Sequence, residues 1–314
     1  MSIYRAPAAM TSIPVIDIGG LASAEPASRK DVAWQIHKAC RDTGFFYAAN
    51  HGIPQRLLDG QFAAARAFFA RPLAEKMAVH FRPGAHNRGY EAMQRQRLDE
   101  GSPPDLKESF MFAGEAPDGP RNLWPEGMAE FRAQMESYHT AVTSLADRLM
   151  RAFALSLDLS ESYFCDGFEG VKPSIRLLHY PPQPKDAAFN QLGAGAHTDW
   201  GALTLLLQDD AGGLEVCNAD GQWISATPIP GTFIVNLGDM VRRWTNDMYQ
   251  STPHRVVNAA SGRDRYSCAA FYSPRRDYVV RCVPTCLPEA GPPHYAPCTT
   301  GEHMDEMVRR TYGG

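Results

Sequence analysis

His197-Thr198-Asp199 places an imidazole and a carboxylate two residues apart. In an extended segment residues i and i+2 face the same way, so the two side chains can meet at one ion. Alone the pair says little. Ten histidines and 35 acidic residues in 314 positions give about one such pair by chance. A second pair, His303-Met304-Asp305, does occur. It falls in a predicted helix, where i and i+2 diverge by about 200°, and reads as a solvated helix face. The first pair needs a third ligand. The best candidate is His254, where Ser251-Thr252-Pro253 turns into a strand.

Two histidines and one carboxylate take three corners of an octahedron and leave three open. That donor set suits Fe(II) with substrate and O2 beside it. Eleven residues past His254, Arg265-Tyr266-Ser267 again sets i and i+2 on one face. Arg offers a planar fork for a carboxylate, and Ser adds a hydroxyl. Tyr180, in His179-Tyr180-Pro181-Pro182, adds a phenol. A zinc hydrolase tolerates the same three ligands, but it leaves the Arg-x-Ser pair without a role.

A folded scaffold must present these groups. Hydrophobic residues are 44% and charged residues 21% of the chain, which excludes disorder and collagen. The net charge of −4 predicts no basic face for nucleic acid. No apolar stretch reaches membrane-spanning length, so neither nucleic acid nor membrane is an expected partner. The first residues lack a secretory pattern, and seven irregularly spaced cysteines suit reduced thiols in a cytoplasm. Cys282, Cys286 and Cys298 form the one loose cluster. They read as packed thiols, because no fourth ligand stands at a zinc-like spacing. Met10, just ahead of Ile13-Pro14-Val15-Ile16-Asp17, is a candidate native start. N-terminal sequencing that finds Met1 or Ser2 would reject it.

The predicted elements fall into two textures. Towards the N-terminus, a strand over Ile13–Ile18 precedes a helix opened by Ser28 and Asp31, with Val32, Ile36 and Cys40 on one face. Phe45-Phe46-Tyr47 is a strand, residues 55–70 a helix stopped by Pro72, and 126–158 one long helix or two. Residues 81–120, rich in Gly, Pro and charge, read as covering loops. After about residue 170, short apolar runs alternate with turns: Ser174–Tyr180, Leu203–Gln208, Gly213–Cys217, Thr232–Val235, His254–Val257 and Tyr266–Tyr272. That pattern predicts a β-barrel or double-sheet jelly roll. Thr299 with Glu302 opens a C-terminal helix.

The ordered set Tyr180-Pro181-Pro182, Gly193 to Gly201, His254 and Arg265-Tyr266-Ser267 resembles the 2-oxoglutarate- and Fe(II)-dependent dioxygenase superfamily. More narrowly, it resembles the isopenicillin-N-synthase-like branch. Ile13–Asp17, Gly44–Tyr47, Asn50-His51-Gly52-Ile53-Pro54 and Asn236-Leu237-Gly238-Asp239 match that branch too, so the resemblance covers nearly the whole chain. It implies a double-stranded β-helix (jelly-roll) core, mainly β with α, with N-terminal helices packed outside. The expected organisation is one oxygenase domain over 1–314: an α-rich part at 10–165, the jelly-roll core at 170–290 and a C-terminal helix at 299–314. The resemblance implies Fe(II) on His197, Asp199 and His254. It further implies 2-oxoglutarate with its distal carboxylate on Arg265 and Ser267, assisted by Tyr180, and O2 as the oxidant. The outcome would be hydroxylation of a small organic molecule with release of succinate and CO2. The branch often has Asn-Tyr-Tyr-Pro where this chain has Leu178-His179-Tyr180-Pro181. Two alternatives share the scaffold: an iron oxidase independent of 2-oxoglutarate, and a ligand-binding protein without activity.

Alternation also selects walls for the substrate. Phe271 shares the face of Ser267, and Arg176 shares that of Leu178 and Tyr180. Arg176 is expected to meet an acidic group of the substrate, against the alternative of an ion pair with a protein carboxylate. Trp200 follows Asp199 and is a candidate for the mouth, although regular pleating turns it away from the metal face. The segment from Asn87 to Phe110 is an expected lid or rim. Its Arg88, Tyr90 and Lys107 are candidate contacts, with a solvated loop as the default.

Overall fold

In the computed structural model, residues 10–81, 88–96, 103–115, 119–184, 191–258 and 262–312 are described. The N-terminal elements are β1 (Val15–Asp17), α1 (Pro26–Asp42), β2 (Phe45–Ala49), α2 (Gln55–Phe69), α3 (Leu73–Ala78), β3 (Gly89–Glu91), β4 (Glu108–Ala113), α4 (Ala129–Ser156) and α5 (Cys165–Phe168). Next come β5 (Ser174–Tyr180), β6 (Ala194–His197), β7 (Leu203–Gln208), β8 (Leu214–Cys217), β9 (Trp223–Ser225) and β10 (Phe233–Leu237). The chain continues through α6 (Asp239–Thr245), β11 (His254–Val256), β12 (Arg265–Tyr272), β13 (Val279–Val280), β14 (Cys298–Thr299) and α7 (Thr300–Tyr312).

Eight strands form the main sheet in the order β1-β2-β10-β7-β12-β5-β4-β3, and β6-β11-β8-β9 form the smaller one. Side-chain alternation sorts the main sheet into two faces. On β12, Cys268, Ala270 and Tyr272 join an outer core with Phe68 of α2 and Leu149 of α4. Ala269 points the other way, into an inner cluster with Leu178, Tyr180, Ala194, Val256 and Phe45. The helices therefore cover the outside, and the jelly-roll interior between the two sheets is left for chemistry.

Several local expectations change. Helix α1 begins at Pro26, ahead of Ser28, and no side chain caps it. Proline fits the first helical turn because its missing N–H would have had no partner there. The stretch 126–158 is one helix, α4, with Met135, Tyr138, Val142, Leu145, Leu149 and Phe153 all buried. At the other end, Thr299 and Glu302 form the expected reciprocal cap: Thr299 N–H and Oγ1–H reach Glu302 Oε2 at 2.7 and 2.9 Å, and Glu302 N–H reaches Thr299 Oγ1 at 3.1 Å.

The larger correction lies in 81–120, which is not all loop. Strands β3 and β4 extend the main sheet beyond β5. Phe110 and Phe112 of β4 are buried in the outer core. A solvated loop was the default here, yet Arg88, Tyr90 and Lys107 are all buried, and of the three candidate contacts Lys107 alone lines the cavity described below. Arg88 donates to the Pro120 and Gly114 carbonyls and to Asn122. Tyr90 and Lys76 both bond Glu108 Oε2. Internal partners replace water, which sequence composition does not reveal. Asn87 and residues 97–102 of the expected lid lie outside the described residues.

His303 is also corrected. It is half-buried, and its Nε2–H donates to the Trp200 carbonyl at 2.9 Å. Among the described residues, no helix is long and apolar enough to cross a membrane.

Candidate metal centre and its cavity

Strand register builds the metal site. Strand β11 runs antiparallel to β6 with His254 directly opposite His197. The rings lie 4.4 Å apart between centroids. Asp199 sits just beyond β6, and its Oδ1 lies 4.0 Å from His197 Nε2 and 3.9 Å from His254 Nε2. One ligand atom from each of the three lies within 4.8 Å of the others. Among the described residues, this is the group of His, Cys, Asp and Glu side chains so arranged. Cys282, Cys286 and Cys298 join no such group, and all seven cysteines are free.

Each ligand is oriented by a neighbour. His197 Nδ1 faces the Gly195 carbonyl at 2.7 Å, and His254 Nδ1 faces that of Thr252 at 3.2 Å. A carbonyl only accepts, so each Nδ1 carries the proton and each Nε2 keeps its lone pair for a metal. Phe45 packs edge-on against His254 at 5.4 Å. Asp199 Oδ2 accepts from Thr204 Oγ1 and Asn236 Nδ2, both at 2.6 Å, which leaves Oδ1 facing the histidines. The Asp199 backbone is pinned as well, its carbonyl accepting from Asp239 N–H at 2.8 Å. Gly238 is required beside it, because a Cβ there would strike the Gly201 and Asp199 carbonyl oxygens.

Electrostatics follow the same plan. Burial, then the adjacent His254, push His197 well below its ordinary pKa, against the opposing pull of Asp199. The ring is thus a neutral ligand at pH 7. Burial works to raise the Asp199 carboxyl, but the two imidazoles and the bonds from Thr204 and Asn236 outweigh it and hold it low. Two imidazole nitrogens and one carboxylate oxygen converge on one point, which fits Fe(II).

Deeper along the inner face, β12 pairs with β5 so that Arg265 lies opposite Tyr180 and Ser267 opposite Leu178. Arg265 is 1% exposed. Its Nε donates to the Gly212 carbonyl at 2.7 Å and its Nη1 to Ser267 Oγ at 3.1 Å, and the guanidinium lies 4.8 Å over the Tyr180 ring. Among the described residues no carboxylate pairs with this buried guanidinium, which calls for an incoming anion. Burial raises the Tyr180 phenol despite Arg265 and Arg176, so it remains a hydrogen-bond donor. Leu178, where the branch often has Asn, lines the same cavity.

One cavity brings together His197, Asp199, His254, Arg265, Ser267 and Tyr180. Arg176 and Phe271 line it too, as alternation predicts, whereas Trp200 does not. The Trp200 carbonyl instead anchors α7 through His303. Arg176 has the protein carboxylate that was its alternative: Nη2 pairs with Glu91 Oε2, and Nε donates to Ser109 Oγ at 3.0 Å. Sequence reasoning missed Thr204, Phe45 and Asp105, and it left Asn236 as a motif letter without a task. A strand hydroxyl carries no signal until its partner is known. A roomier cleft lined by Asp147, Glu161, Cys165 and Asp166 holds none of the predicted residues. Three of its four acids already have partners: Asp147 with Tyr272, Glu161 with Arg29 and Asp166 with Arg275.

Comparison with known proteins agrees with this geometry. Residues 13–127 match the family described as non-haem dioxygenase in morphine synthesis N-terminal, and residues 172–274 match the 2OG-Fe(II) oxygenase superfamily. The 2-oxoglutarate-Fe(II) type oxidoreductase hxnY of Emericella nidulans is 39% identical over 97% of this chain and 92% of its own length. A homoarginine-6-hydroxylase of Arabidopsis thaliana is 35% identical, over 96% of this chain and 98% of its own. Among solved structures, a full-length Neurospora crassa protein in complex with alpha-KG and thymine superposes with a TM-score of 0.88 at 30% identity, covering 96% of this chain and 97% of that one. A His-Asp-His cluster opposite a buried Arg-Ser pair, in a jelly roll matched end to end by such relatives, places this chain in the 2OG-Fe(II) oxygenase superfamily.

Proposed function

We propose that His197, Asp199 and His254 hold the catalytic Fe(II) of this oxygenase. Arg265, Ser267 and Tyr180 take the far carboxylate of 2-oxoglutarate. The reaction is R–H + 2-oxoglutarate + O2 → R–OH + succinate + CO2, with R–H a small organic molecule. The iron, with its cosubstrate and O2, supplies the oxidising power. The protein supplies placement. Asp199 offers Oδ1 because Thr204 and Asn236 occupy Oδ2, and the two Nε2 atoms converge because backbone carbonyls hold the Nδ1 protons. Arg265 fixes the cosubstrate's distance from the metal, since its own side chain is locked by Gly212 and Ser267. The apolar walls Leu206, Leu214, Val256 and Ala269 limit water near the reacting carbon.

The observation that carries this reading is the buried Arg265 aimed into the cavity that also holds the three convergent ligands. The similarity to the Neurospora crassa protein solved with thymine supports a small substrate. Phe271 is the apolar platform for it. Arg176 is already paired with Glu91, so its charge alone does not demand an anionic substrate. A core cluster continuous from Ile16 through Leu149 to Tyr272 supports one domain over 1–314, and seven free thiols support a reducing cytoplasm. Turnover is the test. Substrate should stimulate Fe(II)-dependent conversion of 2-oxoglutarate to succinate, one succinate per hydroxylated product. Product formation that leaves 2-oxoglutarate unconsumed would overturn the reading.

A further inference from the structure

The polar side chains lining the cavity sort by task. Three converge on the metal position, Thr204 and Asn236 support Asp199, and Tyr180, Arg265 and Ser267 face the cosubstrate. Two remain, Lys107 and Arg176. Both donate hydrogen bonds and neither accepts. Their counter-ions are not part of the lining. Asp105, 2% exposed, spends Oδ2 on Lys107 Nζ at 2.6 Å and Oδ1 on the Gly195 N–H at 3.0 Å. Glu91 Oε2 serves Arg176 Nη2 and the Ser109 hydroxyl. Among the described residues, the side chains of the substrate half of the cavity thus present donors with no acceptor between them.

The donors are not saturated. Lys107 Nζ carries three N–H bonds, and Asp105 is its one hydrogen-bond partner among the described residues. Arg176 uses Nε and Nη2 and leaves Nη1 over. Asp105 also ties Lys107 to β6, the strand that carries His197, so the ammonium is held at a fixed place relative to the metal position. A cationic group of a substrate would meet like charge on this wall, and a hydroxyl could use only its lone pairs.

We infer that the substrate carries a carboxylate, bound by Lys107 with Arg176 beside it, and that this oxygenase acts on small organic acids. The inference rests on the proposed function, since it assumes that this cavity holds the iron and its cosubstrate. It agrees with the state of Lys107. Burial, opposed by Asp105 and reinforced by Arg176, lowers the ammonium to about 8, so at pH 7 it still carries its charge. An entering carboxylate would stand as a second counter-charge beside Asp105.

The test uses protein loaded with Fe(II) and 2-oxoglutarate under anaerobic conditions. Small aliphatic and aromatic monocarboxylic acids are titrated by calorimetry beside their primary amides, while the visible band of the iron–cosubstrate chelate is followed. At least one acid should outbind its amide by about tenfold or more. Lys107→Met should erase that preference and keep the chelate band, and Lys107→Arg should restore part of it. Lys107→Met strands Asp105, so the double variant Asp105→Asn/Lys107→Met is run as well. Its Asn can still accept from the Gly195 N–H, and it should behave alike. The inference is wrong if no acid outbinds its amide, or if the preference survives in the folded variants. It is also wrong if the variants lose the chelate band, because Lys107 would then serve the cosubstrate. A wild-type protein that forms no chelate band fails differently: it removes the oxygenase assignment of the cavity.

Discussion

At the iron end of the cavity, neutral groups hold the ligands: the Gly195 and Thr252 carbonyls, the Thr204 hydroxyl and the Asn236 amide. At the substrate end, the lining cations are held by carboxylates, Asp105 on Lys107 and Glu91 on Arg176. The difference is one of charge reserve. Neutral supports fix the geometry of Asp199 without cancelling its charge, so the site keeps its attraction for a metal cation. Ionic supports let two cations stand in a desolvated wall before any ligand arrives. One end is built to take a cation and the other to tolerate its own.

The sharpest way to break this contrast is to remove the one charged ligand. Asp199→Ala should lower iron-dependent turnover by on the order of a thousandfold or more, with Fe(II) binding lost in the same measure. Near-normal iron binding in this variant would show that the carboxylate is not a ligand. A smaller effect is expected from the neutral supports. Asn236→Ala and Thr204→Val each remove one of the two donors to Asp199 Oδ2, and each should weaken Fe(II) by about tenfold while 2-oxoglutarate binding to the loaded enzyme stays close to normal. Metal titration of the two variants checks this.

The substrate end should respond to pH instead. Lys107 is faced by Asp105, Arg176 and Glu91, with His197 across the cavity, and its pKa is lowered to about 8. The cation therefore disappears as pH rises through that value. Preference for an acid over its amide should fall several-fold between about pH 7 and about pH 9, and a flat profile would count against the Lys107 contact. The smallest expected effect lies on the outer face of the main sheet. Burial opposes protonation of His179, but its 2.7 Å bonds to Glu108 and Asp264 win and raise its pKa. The stabilisation is therefore complete below the unfolded value of about 6.5 and is lost as pH climbs through the raised folded value. Wild type should lose about 2 °C of melting temperature over that window relative to a His179→Leu variant.

How far the sequence could be read follows the same divide. Of the six runs read as strands after residue 170, Ser174–Tyr180 and Leu203–Gln208 are β5 and β7 to the residue, and the other four differ from β8, β10, β11 and β12 by a residue or two at their ends. Period-two patterning reports directly on a sheet with one apolar face and one functional face. It placed Arg265 with Ser267, and Phe271 and Arg176 on the cavity side, because those relations lie within one strand. The ligand pair His197 and Asp199 was legible because the two are neighbours in sequence, although Asp199 falls just past the end of β6. Relations between distant segments were not. Lys107 looked like a solvated charge because its partner's second bond goes to Gly195, 90 positions from Asp105. Arg176 looked like a substrate ligand because Glu91 belongs to an edge strand hidden in a charged, Pro-rich stretch. His303 was dismissed because its acceptor is a main-chain carbonyl, a group that no residue letter announces.

The proposed function requires one cavity to hold both the iron and, on Arg265, the far end of 2-oxoglutarate. Anaerobic titration of the apoprotein with Fe(II) and then 2-oxoglutarate, in wild type beside Arg265→Ala, tests it most directly. Wild type should develop the visible charge-transfer band of the chelate. The variant should bind iron normally and need about a hundredfold more 2-oxoglutarate to reach the same band. Iron binding with no band in wild type, or equal cosubstrate affinity in the two proteins, would contradict that requirement.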